Sequence, residues 1–237
     1  MITVDFHRLT VKPHDRILDV GCGSGRHTCA ASRQPEVIAV GADLRWQEVS
    51  EARDRLAFER QLGVQQGSRW AVVVADMRAL PFKTADFDLV ICSEVLEHVP
   101  EHEKAASELC RVLKKGGDLV VSVPRYLPER ICWSLSRAYH TASDGHVRIY
   151  RKSELLSLLV PFGFTPWSVH FAHSLHTPYW WLKCLVGPTR EDSRLVNAYH
   201  RFLVWDMMKG NRLTRLLDRL LNPLMGKSIV LYLRKGN

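Results

Sequence analysis

Five short apolar runs, each followed by a turn or an acidic residue, constrain the fold of this chain more than any other feature. They cover residues 16–20, 37–42, 70–75, 87–92 and 118–123. Segments with the pattern of helices separate several of them, notably 46–62 and 101–114. Uninterrupted apolar strands that alternate with helices are typical of parallel sheets covered on both faces. The pattern predicts an α/β fold with a doubly wound, mostly parallel sheet that binds ligands at the carboxyl ends of its strands.

The pattern loosens after Pro124. Helices are predicted at 128–143 and 152–162, a sixth strand at 164–171 and a seventh at 227–234. About 55 residues without a strand pattern separate these two strands, with predicted helices at 193–209 and 212–221. We therefore expect a seven-stranded domain over 1–170, completed by strand 227–235. The segments 125–145 and 171–226 are expected to be helical insertions that cover the site, because long loops in compact domains are often functional.

Charge and cysteine content narrow the expected environment. The net charge of +8 is concentrated in residues 183–237, which hold 11 Lys/Arg against 4 Asp/Glu. This asymmetry favours an anionic partner surface. The six cysteines form no C-x-x-C pair, and no signal-peptide or membrane-spanning run is visible, so a reduced, cytoplasmic protein is expected. Nucleic acid is the weaker partner hypothesis, because no recognised binding module is present.

The segment Asp19-Val-Gly21-Cys-Gly23-Ser-Gly25 follows the first strand and opens a helix. Glycines there allow a tight turn and close approach of the backbone to a ligand. The spacing G-x-G-x-G departs from the G-x-G-x-x-G of dinucleotide enzymes, which disfavours a nicotinamide-dependent oxidoreductase. Asp43, at the end of the second strand, is placed to accept hydrogen bonds from ribose hydroxyls. Asp76 and Met77 follow the third strand, where they could meet an adenine ring.

These motifs together resemble class I methyltransferases that use S-adenosylmethionine (SAM). The resemblance lies in Ile17–Gly25, Gly41-Ala-Asp43-Leu44, Ala75–Phe82, Phe87–His98 and Leu113–Ser122. It implies SAM as the cofactor, Ser93 and Glu94 near its methionine part, and an antiparallel seventh strand. The predicted cofactor-binding residues are Asp19, Gly21, Gly23, Gly25, Asp43, Leu44, Asp76, Met77, Ser93 and Glu94. Many relatives carry covering helices before the first strand, so here we expect the cover to come from elsewhere or to be absent.

Methyl transfer to an oxygen of high pKa needs a general base, and histidine is the usual one. The candidates are His98, His146, Tyr126 and Tyr150, with His146 and Tyr150 in a His-x-Arg-x-Tyr segment that borders the site in similar enzymes. His146 could instead pin its loop, and His98 could support the cofactor loop. The spacing of His170, His173 and His176 fits one helical face poorly, so no metal site is predicted.

The insertions suggest the acceptor. They carry apolar and aromatic residues, namely Phe171, Tyr179, Trp180, Trp181, Trp205, Met207 and Met208. Arg212, Arg215 and Arg219 recur at helical spacing beside leucines, as in helices that lie on anionic membranes. A small hydrophobic or lipid-linked acceptor, methylated on O or C near a membrane surface, is the leading hypothesis. The alternatives are a helical subdomain with leucines inward, a soluble polar acceptor or sugar with these helices as a homodimer interface, and a non-catalytic SAM-binding protein at a membrane.

Overall fold

Seven strands form one sheet in the computed structural model, which describes residues 2–141 and 145–236. They are β1 (Arg16–Val20), β2 (Ile38–Asp43), β3 (Arg69–Val74), β4 (Phe87–Ser93), β5 (Leu113–Pro124), β6 (Phe164–Ala172) and β7 (Ser228–Lys235). Their order is β3-β2-β1-β4-β5-β7-β6. β7 pairs antiparallel with β5 and β6, and the other described strand pairs are parallel. The predicted doubly wound, mostly parallel sheet is confirmed.

Nine α-helices lie within the described residues. They are α1 (Arg26–Ser32), α2 (Trp46–Gln61), α3 (His102–Val112), α4 (Tyr126–Leu135), α5 (Arg137–His140), α6 (Lys152–Leu159), α7 (His176–Val186), α8 (Arg194–Lys209) and α9 (Arg212–Met225). Short 3-10 turns cover Phe6–Arg8, Leu96–His98 and Val160–Phe162. None of the described helices is long and apolar enough to cross a membrane.

The predicted helix 128–143 is divided in the structure. It breaks at Ser136, whose extended backbone ends α4 and whose hydroxyl accepts a hydrogen bond from the N–H of Tyr139. Such a side chain satisfies an amide that would otherwise lack a partner at a helix start. Residues 142 and 143 of that prediction lie outside the described residues. Helix α7 is not predicted from the sequence, in which Trp180 and Trp181 indicate only an aromatic surface.

The central strands of the sheet are buried on both faces, as their apolar sequences predict. Leu18, Val90 and Val121 face one core, while their neighbours in sequence contribute to the core on the other side (Ile17, Ile91 and Val120). This alternation follows from the two-residue repeat of a strand. It leaves only the strand ends available for a site.

Candidate functional site

A cavity of about 780 Å³ opens at the carboxyl ends of β1, β2, β3 and β4. Its volume is within the range of about 300–1,000 Å³ common for small-molecule sites. Eight of the ten residues predicted to bind the cofactor line it: Gly21, Gly23, Asp43, Leu44, Asp76, Met77, Ser93 and Glu94. The fold therefore brings four separate motifs to one place.

Two glycines of the glycine-rich turn have no room for a side chain. Gly21 has a φ of 68°, and a Cβ there would lie 2.4 Å from Val95 Cγ2. A Cβ on Gly25, at φ 78°, would lie 2.9 Å from Ala52 Cβ. The turn needs glycine at both positions, because a side chain would meet a strained backbone and a neighbour together.

The acidic strand ends are fixed by backbone and side-chain donors. Asp43 ends β2, and its Oδ2 accepts a hydrogen bond of 2.8 Å from the N–H of Gly23, which ties it to the glycine turn. Asp76 forms an ion pair with Arg78 at 2.7 Å. The hydrogen bond from Arg78 lowers the pKa of Asp76, so this carboxylate stays ionised beside the cavity at neutral pH.

Two serine hydroxyls form a chain of hydrogen bonds from the end of β4 to Glu94. Ser93 Oγ lies 2.8 Å from Ser122 Oγ, and the Ser122 hydroxyl donates to Glu94 Oε1 at 2.9 Å. Glu94 has a φ of 57°, which is uncommon for a residue other than glycine and points its side chain away from the strand direction. Burial raises the pKa of Glu94, with Lys227 opposing the rise.

Two predicted cofactor residues do not line the cavity. Asp19 is buried beneath the turn, where its Oδ2 accepts a hydrogen bond of 2.7 Å from Thr28 Oγ1. Gly25 starts α1 and packs on Ala52. Both shape the turn from behind, a position that the linear motif does not distinguish from direct contact.

The candidate catalytic residues separate in the structure. His98 lines the cavity, and its ring meets that of His146 edge to face at 4.9 Å. His146 Nδ1 lies 2.6 Å from Glu129 Oε1. His146 itself does not line the cavity, but its neighbours in sequence, Gly145 and Val147, do. Tyr150 is 4% exposed, and its hydroxyl lies 2.5 Å from His102 Nδ1, so the fold does not bring it to the cavity.

Tyr126 is also not among the residues that line this cavity. Its hydroxyl accepts a hydrogen bond from Arg151, whose guanidinium lies over its ring. Neither Tyr126 nor Tyr150 lines the cavity, and a part for either of them in the reaction stays a prediction.

The lining residues that were not predicted include Thr3, Arg26, His27, His173, Lys227 and Ser228. Arg26 and His27 follow the glycine motif directly, so that motif could have indicated them. The others come from distant parts of the chain. His27 Nε2 accepts from the N–H of Thr3, and His173 Nε2 lies 3.2 Å from Thr3 Oγ1. The segment before β1 thus reaches the cavity.

Among the described residues of the insertions, only those near their ends line the cavity. Gly145 and His173 line it, whereas none of the aromatic residues predicted to cover the acceptor does. Trp181 donates to the carbonyl of Pro128 and Trp180 packs on Tyr139, which holds α7 against α4 and α5. These helices therefore form a layer beside the opening.

Comparison with known proteins identifies a family and several relatives that this chain resembles. Residues 18–121 match a family described as a methyltransferase domain. The 27-O-demethylrifamycin SV methyltransferase of Amycolatopsis mediterranei (strain S699) is 31% identical over 113 residues, which are 48% of this chain and 40% of that protein. The 24-methylenesterol C-methyltransferase 2 of Oryza sativa subsp. japonica is 30% identical over 169 residues, covering 66% and 43% respectively.

The chain therefore spans about two fifths of the length of these two relatives. Among solved structures, a geranyl diphosphate methyltransferase in complex with SAM superposes with a TM-score of 0.61 at 16% identity, over 95% of this chain and 79% of that one. At that identity the likeness concerns the fold alone.

Proposed function

We infer that this protein is an enzyme that transfers a methyl group, since the domain over residues 18–121 belongs to the class I SAM-dependent methyltransferases. The family and the cofactor predicted from the motifs are thereby confirmed. The observation that carries the activity is the cavity in which the glycine turn, Asp43, Asp76 and Glu94 converge. A site with these groups intact suits a nucleoside with a charged amino-acid tail.

The chemistry needs little from the protein beyond positioning. Methyl transfer is an in-line displacement at a sulfonium, in which holding donor and acceptor together supplies much of the rate. Asp43 is placed for the ribose hydroxyls, and Asp76 with Met77 for the adenine. Ser93 and Glu94 lie where the methionine part would end. Among the candidate bases His98 lines the cavity, so we assign it to the acceptor side of the site.

Cofactor binding is the first test. Isothermal titration of SAM and S-adenosylhomocysteine (SAH) into the wild type and Asp43→Ala compares sites that differ by one carboxylate. We expect the variant to lose at least about tenfold in affinity, as for a lost charge-assisted hydrogen bond of about 1.5–3 kcal/mol. Asp54→Ala, on the exposed face of α2, is the matched control and should bind like the wild type. Equal affinities for Asp43→Ala and the wild type would show that Asp43 does not bind the ribose.

The acceptor is proposed to be a small hydrophobic or lipid-linked molecule, methylated on oxygen or carbon. The names of two relatives include an O-methyltransferase and a sterol C-methyltransferase, which supports this class and leaves both atoms open. Helix α9 provides the second support. It packs on the segment that carries the cavity residue His173, through hydrogen bonds from Ser174 Oγ to Asp218 and from the N–H of Ser174 to Asn222.

Helix α9 buries its polar side and exposes its apolar side. Thr214 is its buried residue, and Asp218 and Asn222 lie on the same face. The exposed leucines are Leu213, Leu216, Leu217, Leu220 and Leu224, so the alternative in which they point inward is wrong for the described chain. An exposed apolar face beside Arg212, Arg215 and Arg219 favours an anionic bilayer as its partner.

We therefore propose that the enzyme is cytoplasmic and draws its acceptor from an anionic membrane surface on which α9 lies. Sedimentation with vesicles of phosphatidylcholine, with and without phosphatidylserine, tests this. The wild type should sediment with the anionic vesicles, and the double variant Leu216→Ser/Leu220→Ser should remain in the supernatant. Leu62→Ser, an equally exposed leucine after α2, should behave like the wild type.

Absence of binding to both vesicles would contradict the membrane proposal. The competing explanation, a homodimer joined through α9 with a soluble polar acceptor, predicts concentration-dependent mass by analytical ultracentrifugation that the same double variant abolishes.

A further inference from the structure

Glu97 is a buried carboxylate in the turn that follows β4. It is 1% exposed, and neither carboxylate oxygen has a hydrogen-bond partner among the described residues. An unpaired buried charge is costly, so such a group is ordinarily neutralised, paired or bound to a metal. A cation at this point would relieve that cost.

Two histidines face the same space. One ligand atom each of Glu97, His98 and His146 lies within 4.8 Å of the others. Donors to one first-row metal ion lie about 3–4 Å apart, since each is about 2.0–2.2 Å from the ion. Small side-chain rotations would therefore bring these three atoms onto one ion.

The second ring nitrogen of His146 is already oriented. Nδ1 lies 2.6 Å from Oε1 of Glu129, which is 2% exposed. A carboxylate oxygen accepts hydrogen bonds, so the Nδ1–H of His146 donates to Glu129. That leaves Nε2 as the ligand atom. A histidine that donates its other N–H to a carboxylate is the usual arrangement behind a metal ligand.

The backbone keeps the two parts of the cluster together. The N–H of Val147 donates to the carbonyl of Glu97 at 3.0 Å. Arg148 donates to the carbonyls of Leu96 and Pro100 at 3.3 and 2.8 Å. The segment that carries His146 is thus clamped onto the turn that carries Glu97 and His98, so the three groups are preorganised before any ion arrives.

We propose that Glu97, His98 and His146 form a binding site for a divalent first-row transition-metal cation, with Glu129 positioning His146. Two imidazoles and one carboxylate suit such ions better than magnesium or calcium, which prefer oxygen ligands. Three protein ligands leave coordination positions open. Since His98 lines the cavity, those positions face the space beside Ser93 and Glu94. This differs from the absence of a metal that the histidine spacing alone predicts.

The site deepens the proposed function and rests on it for its chemical role. A hydroxyl of the acceptor that binds the ion has a lowered pKa and gives its proton to solvent. The resulting oxygen anion forms the new O–C bond as the S–C bond of SAM breaks, and SAH leaves. An ion in this place would favour acceptors with a hydroxyl that reaches it, and hence O-methylation over C-methylation.

Titration of the full chain with Mn²⁺, after removal of metals with a chelator, tests the site directly. The electron paramagnetic resonance signal of free Mn²⁺ reports binding, and isothermal titration with SAH is run in parallel on each protein. Glu97→Gln keeps the volume of the side chain and removes its charge, and His146→Asn removes one ligand. Glu36→Gln is the matched control, since Glu36 forms a surface pair with His14 at 3.7 Å.

The wild type and Glu36→Gln should each bind one equivalent of Mn²⁺. Glu97→Gln should weaken binding by at least about tenfold, and Glu129→Gln by about 10–100-fold as a positioning residue. Glu97→Gln should still bind SAH, which shows that it is folded. A wild type that binds SAH and no Mn²⁺, or Mn²⁺ binding unchanged in Glu97→Gln and His146→Asn, would overturn the site and leave methyl transfer standing. A wild type that binds Mn²⁺ and not SAH would count against the proposed function alone.

Discussion

Two glycines with the same backbone angle separate the cost of a positive φ from the cost of a close contact. Gly21 and Gly63 both have a φ of 68°, but only Gly21 has a neighbour within reach of a Cβ. Gly63→Ala should cost about 1 kcal/mol of unfolding free energy from the backbone alone. Gly21→Ala should cost about 3 kcal/mol, because the new Cβ also meets Val95, and it should abolish SAH binding. Urea unfolding and titration measure both, and equal losses in the two variants would contradict the role of Val95.

Asp19 makes stability depend on pH in an unusual direction. Burial raises its pKa to about 6 despite the hydrogen bond from Thr28, whereas an unfolded aspartate titrates near about 3.9. The folded protein therefore holds the proton more tightly. The stability that this contributes is present below about pH 4 and is lost as the pH rises through about 6.

Asp19→Asn should remove that dependence. Relative to the variant, the wild type should lose up to about 3 kcal/mol of unfolding free energy between pH 4 and pH 7. Urea unfolding of both proteins at several pH values gives the difference. Parallel curves for the two proteins would show that Asp19 does not titrate in this range.

At the scale of elements, α9 reverses the usual polarity of a surface helix. Asp218 accepts hydrogen bonds from Ser174 Oγ, which is fully buried, and from the N–H of Leu175. Asp218→Ala leaves both donors without this partner and should cost about 2–3 kcal/mol. Leu217→Ala, on the exposed face, should change the unfolding free energy by less than about 0.5 kcal/mol. A larger loss for Leu217→Ala than for Asp218→Ala would mean that α9 is turned the other way.

At the scale of the molecule, ligand binding should stabilise the whole fold, because the cavity draws residues from both ends of the chain. Thr3 and Lys227 line it together with the glycine turn. At 100 times its Kd, SAH should add about 2.7 kcal/mol. For a chain of this size that raises Tm by about 5–10 °C. NAD should give no shift in the same thermal scan, and a shift with NAD alone would reverse the choice of cofactor.

The sequence by itself determined the sheet, its flanking helices and the cofactor edge. Strand ends are local features, and parallel strands carry their carboxyl ends to one edge regardless of the rest of the chain. Residues that follow those strands directly, such as Gly21, Asp43, Asp76 and Glu94, therefore reach the cavity as the motifs predict. The same locality explains the exceptions. A motif does not reveal depth, so Asp19 was predicted at the ligand and lies beneath it.

Only the tertiary structure decided what surrounds that edge. Thr3, His173 and Lys227 converge there through contacts between distant segments, for which a single sequence holds no periodic pattern. The orientation of α9 has the same origin: amphipathicity shows two faces, but the hydrogen bonds to Ser174 decide which of them is buried. The cluster of Glu97, His98 and His146 likewise exists only because Val147 and Arg148 bind the turn after β4. Side chains nearly 50 residues apart become neighbours through those backbone bonds, since spacing along the chain sets distance only within one element.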